Sequence, residues 1–322
     1  DLCLIQEVRD AKGEAIPTLV KDLNSFDKSH AYTYVESKRL GKKTYKEQYV
    51  YIYKKDVLQV REHCQYPELE GGEGTNIDTE VFSREPFIVR FHSPTTLVKD
   101  FVLVGQHTCP KTAMKEIDEL YTVFNGICKK WKTENVVILG DLNAACSYIT
   151  IKGFRAVRLR SDPKFRWLIG DEQDTTVRQK THCAYDRIVI HGREMISGIV
   201  PDSAKPFNFK EEFHLTEDEA LEVSDHFPVE VDLNQAQTIR MSFSPQKGLI
   251  TDRNTHQFHQ LSRWLVSEDP AGKEAGCGGP GQVYGREINI KFSVNSSGGH
   301  SYSQHDNRTL PQNLRHLLHC VV

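Results

Sequence analysis

The stretch NVVILGDLNAACSY, residues 135–148, passes from an unbroken apolar segment directly into a polar one. Val136-Val137-Ile138-Leu139 has the pattern of a short strand buried on both faces. Gly140 punctuates it, and Asp141 and Asn143 follow two positions apart. On an extended chain that spacing sends both side chains to the same side. Ligands of α/β sheets sit at the carboxyl ends of strands, so a carboxylate and a carboxamide leaving this strand together mark a candidate site. The alternative is an Asp/Asn turn closing an ordinary strand. What favours a site is that other strands of the chain end in the same way.

Working outward, short apolar runs alternate with helical patterns from Leu2 to Leu233. Strands are expected at 2–5, 49–53, 87–91, 101–104, 136–139, 187–190 and 229–233. A helix is expected over 112–131, where Met114, Ile117, Leu120, Tyr121, Phe124 and Ile127 recur at helical spacing and form a core-facing stripe. Strands mixed with helices and hairpin-like pairs predict an α/β protein of two packed sheets flanked by helices. Residues 70–74, EGGEG, read as a solvated acidic loop. Beyond Leu233 the periodicity fades. Nine of the 21 glycines fall in residues 234–322, which read as a low-complexity, disordered tail with one faint helix at 258–266. Two N-glycosylation triplets begin at Asn295 and Asn307.

The 322 residues suffice for a sizeable core, and 38% hydrophobic with 26% charged content describes a soluble globular protein. Residues 1–233 carry 32 Lys+Arg against 38 Asp+Glu, and residues 234–322 carry 9 against 6. An acidic body is not the usual footprint of a nucleic-acid binder, so any polyanion needs local arginines or bound cations. No apolar run reaches the roughly 18 residues of a membrane span. Asp1 directly precedes an apolar run, so the chain is expected to be a fragment lacking its own start, and no signal peptide is present. Eight cysteines without a CxxC pair fit neither a zinc site nor a thioredoxin motif, and they permit disulfides and an oxidising compartment.

The polar groups at the expected strand ends are Glu7 and Arg9, Glu47, His107, Asp141 and Asn143, Asp186, and Asp225-His226. Each alone has a plain explanation as a solvated or satisfied surface residue. Together they supply the inventory for hydrolysing a phosphate ester. A phosphodiester anion repels a nucleophile, so a divalent cation must absorb charge at the phosphoryl oxygens. Mg²⁺ takes oxygen ligands from one or two carboxylates, a role that suits Glu7. Water must lose a proton and the leaving alkoxide gain one near neutral pH, which suits two histidines each oriented by a carboxylate. No GxSxG, Walker A or HExxH motif supports the serine-hydrolase, P-loop or zincin alternatives.

The strings QEVRD (6–10), YKEQY (45–49), FSREPF (82–87), GDLNAACSY (140–148), WLIGDEQDTT (167–176), CAYDRIV (183–189) and SDHFPVE (224–230) closely resemble the DNase I family, its DNase gamma branch above all, within the endonuclease/exonuclease/phosphatase superfamily. The resemblance covers residues 1–233 as a nuclease domain and does not reach the tail. It implies a four-layer α/β sandwich of two packed mixed sheets. It also implies Mg²⁺ (or Mn²⁺) and Ca²⁺-dependent endonucleolytic cleavage of double-stranded DNA, leaving 5′-phosphates with little sequence preference. Carried onto matching positions, His107 with Glu47 and His226 with Asp186 are the two acid/base units. Glu7 holds the catalytic cation, and Asp141, Asn143 and Asp225 order the phosphate, the metal and the water. Arg9 and Tyr45 enter the minor groove, and Arg84 and Tyr185 contact phosphates. Asp174 and Thr176 resemble part of a structural Ca²⁺ loop, with an ordinary Asx turn the alternative. Cys146 and Cys183 match the family's structural disulfide.

Three departures from the family pattern accompany these expectations. The family opens with a further strand and helix that this chain lacks. Leu142 and Ala145 stand where Phe and Gly are usual, and Ala145 is strained if that position has positive φ. The tail is glycine-rich rather than polybasic. A secreted or endoplasmic-reticulum monomer with possible nuclear action is expected, and the sequence leaves actin binding open. The competing readings are a superfamily phosphatase on small phosphate esters and a catalytically impaired DNase-like binding protein.

Overall fold

The computed structural model describes residues 1–42, 44–68 and 81–236. The acidic loop at 70–74, the helix expected at 258–266, both glycosylation triplets and nearly all of the expected tail lie outside the described residues. The first strand, β1 (Leu2–Val8), is followed by α1 (Ala15–Phe26), β2 (Tyr32–Glu36) and β3 (Gln48–Lys54). These strands form an antiparallel sheet in the order β1-β3-β2. Next come β4 (Gln59–Gln65), β5 (Phe87–His92), β6 (Asp100–Gly105), α2 (Ala113–Trp131) and β7 (Val136–Asp141). After a 3-10 turn at Cys146–Tyr148 come α3 (Ile151–Ala156), α4 (Arg158–Ser161), β8 (Arg166–Trp167) and β9 (Asp186–His191). The second sheet has the order β4-β5-β6-β7-β9-β8, with β6 and β7 parallel and the other pairs antiparallel. The described part ends with α5 (Arg193–Gly198), β10 (Lys205–Pro206), α6 (Phe209–Glu212), α7 (Glu217–Leu221) and β11 (Val229–Glu230), with β10 and β11 paired.

Strand alternation builds the layers. On β3, Tyr49 and Tyr51 face inward onto Phe91, Phe101, Leu103, Ile188 and Ile190 of the larger sheet. Val50 and Ile52 face outward onto Ile16 and Val20 of α1. On the far side of the larger sheet, Ile88, Val102, Val104, Val136, Ile138 and Val189 pack against Ile117, Leu120, Phe124 and Ile127 of α2. The result is helix, sheet, sheet, helix. This is the expected sandwich, with one difference in detail: the smaller sheet is wholly antiparallel among the described residues. The helix expected at 112–131 is α2 with most of its stripe buried, and six of the seven expected strands are present in full or nearly so, the seventh, 229–233, being reduced to the two residues of β11. No helix among the described residues is long and apolar enough to cross a membrane.

The strand expected to stop at Ile5 runs on to Val8 through a register shift, and Glu7 sits there with φ of 55°. A bulge of this kind re-aims one side chain out of the ladder. The strain foreseen at Ala145 does not arise, because its φ of −155° is extended backbone and the left-handed residue is Cys146.

Candidate active site

The site lies where the ends of β1, β6, β7 and β9 meet. Asp141 closes β7 directly opposite Asp186, the first residue of β9. Gly140, with φ of 128°, brings this corner close to its neighbours, since a Cβ there would collide with the Gln106 carbonyl and the Gln6 amide. The Asp141 N–H donates to Gln6 Oε1 at 2.9 Å. Asn143 does not continue the extended chain but turns with φ of 47°, so the GDLN segment is itself an Asx turn. Its N–H donates to Asp141 Oδ1 at 2.8 Å, and its Nδ2 to Asp141 Oδ2 at 3.1 Å and the Thr108 carbonyl at 3.1 Å. Turn and site coincide in the same residues.

Two histidines flank Asp141, and each holds a carboxylate on Nδ1. His107 Nδ1 lies 2.7 Å from Glu47 Oε1, and its Nε2 lies 3.5 Å from Asp141 Oδ2 and 3.8 Å from Glu7 Oε1. His226 Nδ1 lies 2.7 Å from Asp186 Oδ2, and a ring nitrogen of His226 and oxygens of Asp141 and Asp186 fall within 4.8 Å of one another. Burial alone would depress both imidazoles, but the paired carboxylates override it and raise both, His226 to about 10. Complete burial pushes the Asp186 carboxyl up despite its histidine. Burial, reinforced by Glu47, Asp225 and Asp141, also raises Glu7.

The remaining expected residues divide by position. Arg84 does not reach outward; its Nε contacts Glu47 Oε1 at 2.9 Å and the His107 carbonyl at 3.0 Å, and Nη2 donates to the Thr108 carbonyl at 2.8 Å. It braces the Glu47–His107 pair. The Arg9 guanidinium stands 5.8 Å from the centroid of the exposed Tyr45 ring. Tyr185 is stacked between Tyr148 and His226, at 5.3 and 5.8 Å between ring centroids. Asp225 is exposed beside His226. Thr176 is the backbone bridge partner of His226, and Asp174 is an Asx turn: Oδ1 accepts from the Thr176 and Cys183 N–H groups at 2.9 and 3.1 Å, and Oδ2 contacts His182 Nδ1 at 3.0 Å. Cys146 and Cys183 form the expected disulfide, with Cα atoms 5.9 Å apart.

Sequence reasoning missed the residues that position this machinery. Gln6 is fully buried, and the Tyr49 hydroxyl accepts from the His107 N–H at 2.8 Å. Thr175 Oγ1 accepts from the N–H groups of Tyr185 and Asp186 at 3.1 and 3.2 Å. Glu116, also fully buried, accepts from Thr112 Oγ1 at 2.7 Å and from the N–H groups of Cys109 and Ser83 at 3.3 and 3.4 Å. Glu116 alone carried a signal, as a carboxylate on the apolar stripe of α2 beside Ile117 and Leu120.

Residues 1–226 match the Endonuclease/Exonuclease/phosphatase family. The chain belongs to this family. Mouse deoxyribonuclease gamma is 50% identical to it over 237 residues, covering 73% of this chain and 75% of the mouse protein. Human deoxyribonuclease gamma is 47% identical over 254 residues, covering 79% and 80%. Pig deoxyribonuclease-1 is 46% identical over 236 residues, covering 73% and 81%.

The donor set of this endonuclease/exonuclease/phosphatase member fits a divalent cation. Glu7, Glu47, Asp141, Asp186 and Asp225 crowd around two imidazoles and Arg84, an excess of acid that a cation relieves. Asp186 Oδ1 is buried with no hydrogen-bond partner among the described residues. Asp141, Asp186 and His226 are the cluster of three donors found among them. A hard cation prefers oxygen, and Glu7, Asp141 and Asp186 Oδ1 offer carboxylate oxygens here.

Proposed function

We propose that this chain is a divalent-metal-dependent deoxyribonuclease that hydrolyses phosphodiesters within double-stranded DNA and leaves 5′-phosphate ends. The observation that carries the reading is the convergence of two histidine–carboxylate dyads on Asp141. Hydrolysis needs one proton taken from water and another given to the leaving 3′-oxygen, and two separately oriented imidazoles provide both transfers. Glu47 and Asp186 fix the tautomer and direction of each ring, leaving both Nε2 atoms for the reaction. Asn143 holds the Asp141 carboxylate in place. Mg²⁺ or Mn²⁺, held by Glu7 and Asp141, supplies charge neutralisation at the phosphoryl oxygens, and Ca²⁺ is the second ion proposed. Arg9 and Tyr45 are exposed together and suit an extended duplex, while the face of Tyr185 beside His226 suits the sugar-phosphate strand. Groove contacts of that kind read width more than sequence, so weak preference follows. The Cys146–Cys183 disulfide supports a secreted or endoplasmic-reticulum location.

Nicking of supercoiled plasmid in Mg²⁺ and Ca²⁺ tests this. EDTA is expected to abolish it, and His107→Ala and His226→Ala each to slow turnover by about 10²- to 10⁴-fold while leaving the circular dichroism spectrum intact. Near-normal rates in either variant, or turnover of inositol phosphates with no plasmid nicking, would overturn the proposal.

A further inference from the structure

Arg39 is half-buried, and its guanidinium is directed at backbone. Nη1 donates to the Asp10 carbonyl at 2.5 Å, and Nη2 donates to the carbonyls of Arg9 at 3.3 Å and Lys46 at 3.1 Å. One planar cation thus joins the segment that carries Arg9 to the segment that carries Tyr45. The last ladder pair between β1 and β3 is Val8 with Gln48, so beyond the sheet Arg39 takes over the joining of the two chains. Each part of this junction is itself anchored. Asp10 Oδ1 accepts from the Lys12 N–H at 2.8 Å, and Oδ2 from the Glu14 and Ala15 N–H groups at 2.6 and 2.8 Å, which pins Asp10 to the start of α1. Leu40 and Glu47 exchange N–H···O bonds at 2.7 and 2.9 Å, and Lys46 Nζ donates to the Gly41 carbonyl. Gly41 turns with φ of 118°, and a Cβ there would stand 2.7 Å from the Tyr45 carbonyl. Arg39 follows Ser37, whose N–H donates to the Tyr49 carbonyl and whose Oγ accepts from the Tyr49 N–H, both at 2.9 Å. The guanidinium therefore grips from a fixed stem.

We propose that Arg39 is a positioning residue for duplex binding, a clamp that holds Arg9 and Tyr45 together so that both meet the groove as one preformed unit. The inference rests on the groove role given above to Arg9 and Tyr45. Both Nη atoms are spent on carbonyls of the protein, which sets Arg39 apart from a phosphate contact. Arg9 and Tyr45 are exposed, and their 5.8 Å contact is a cation over a ring, too weak alone to hold two loops in register. Ordering loose side chains on association lowers affinity, and a junction already formed in the free protein avoids that loss. The catalytic dyad beside it has separate support, since Glu47 is held by His107 at 2.7 Å and by Arg84 at 2.9 Å. Loss of the clamp is therefore expected in KM and not in kcat. Lysine does not replace it, because a single ammonium cannot fork across three carbonyls.

Steady-state cleavage of a short fluorescent duplex by the full chain tests the assignment. Arg39→Ala is expected to raise KM about tenfold, with kcat within about twofold of wild type. Arg39→Lys keeps the charge and is expected to raise KM nearly as much; if Arg39→Ala does not fold, it carries the test. Arg9→Ala/Tyr45→Ala is expected to raise KM as well, and adding Arg39→Ala to that chain to change nothing further. A second tenfold rise in that background would overturn the proposal, because Arg39 would then act independently of both residues. So would a fall in kcat at unchanged KM, or wild-type KM in Arg39→Lys while Arg9→Ala/Tyr45→Ala binds weakly. Wild-type KM in Arg9→Ala/Tyr45→Ala overturns the groove reading itself, and the clamp with it.

Discussion

Breaking the disulfide by Cys146→Ser/Cys183→Ser removes a link across 37 residues of sequence. On chain-entropy grounds a loop of that length restricts the unfolded chain by about 4 kcal/mol, an upper figure for the native bond. For a domain of this size each kcal/mol moves the melting temperature by about 2–4 °C, so the double variant is expected to melt roughly 8–16 °C lower. The effect on turnover is expected to be much smaller. Asp141 and Asp186, on the two strands that the bond helps to tie, already face each other as a ladder pair between β7 and β9. Well below the melting point the backbone hydrogen bonds keep both carboxylates in place. Differential scanning calorimetry of oxidised wild type and the double variant, with plasmid nicking at 25 °C, measures both quantities. An unchanged melting temperature would refute the entropic argument. A melting temperature that falls while turnover collapses at 25 °C would refute the claim that the ladder holds the corner.

Gly140→Ala is expected to destabilise the protein by at least about 1–3 kcal/mol in chemical denaturation, since both its φ and the Gln106 carbonyl oppose a Cβ; wild-type stability would refute this. Glu116→Leu leaves the buried Gln106 amide and the part-buried donors at Ser83, Thr112 and Cys109 without their acceptor, at about 1–3 kcal/mol for each one that finds no water, and should lower both melting temperature and turnover. In metal-free protein the His226 ring is expected by NMR to stay protonated through pH 7 and to lose its proton near 10. Because this folded-state pKa is raised, the imidazole's own contribution to stability is complete below about 6.5 and lost as pH rises through about 10. A midpoint near that of free histidine would refute it, and Asp186→Asn should abolish the elevation.

The central strands were legible because the buried apolar runs of β5, β6, β7 and β9 have one consistent explanation. The edges were not. β4 carries exposed Arg61, Glu62 and His63 and reads as loop, and the half-buried YTYVE of β2 has no unbroken apolar run. Polar residues at strand ends were legible as a set because each adjoins an apolar run, although Glu47, His107, Asp141, Asn143 and Asp186 are themselves buried. Their supports were hidden because no such run marks their role. Gln6 and Thr175 are paired with backbone, and a single buried polar group leaves no periodic trace in sequence. Arg84 shows a different limit: nothing in the sequence indicated that its guanidinium also faces Glu47 and two carbonyls.

The Glu47–His107 contact of 2.7 Å joins a residue at the rim of the smaller sheet to one at the rim of the larger. At that end the offset between the sheets is held by the Tyr49 hydroxyl on the His107 N–H, by Gln6 Oε1 on the Asp141 N–H, and by the Tyr51 ring against Phe87, which pairs with Gly105. Those side chains therefore act as a spacer gauge for proton transfer. Thinning the layer, as in Phe87→Leu, lets one sheet settle against the other and alters alignment at a place the substitution never touches.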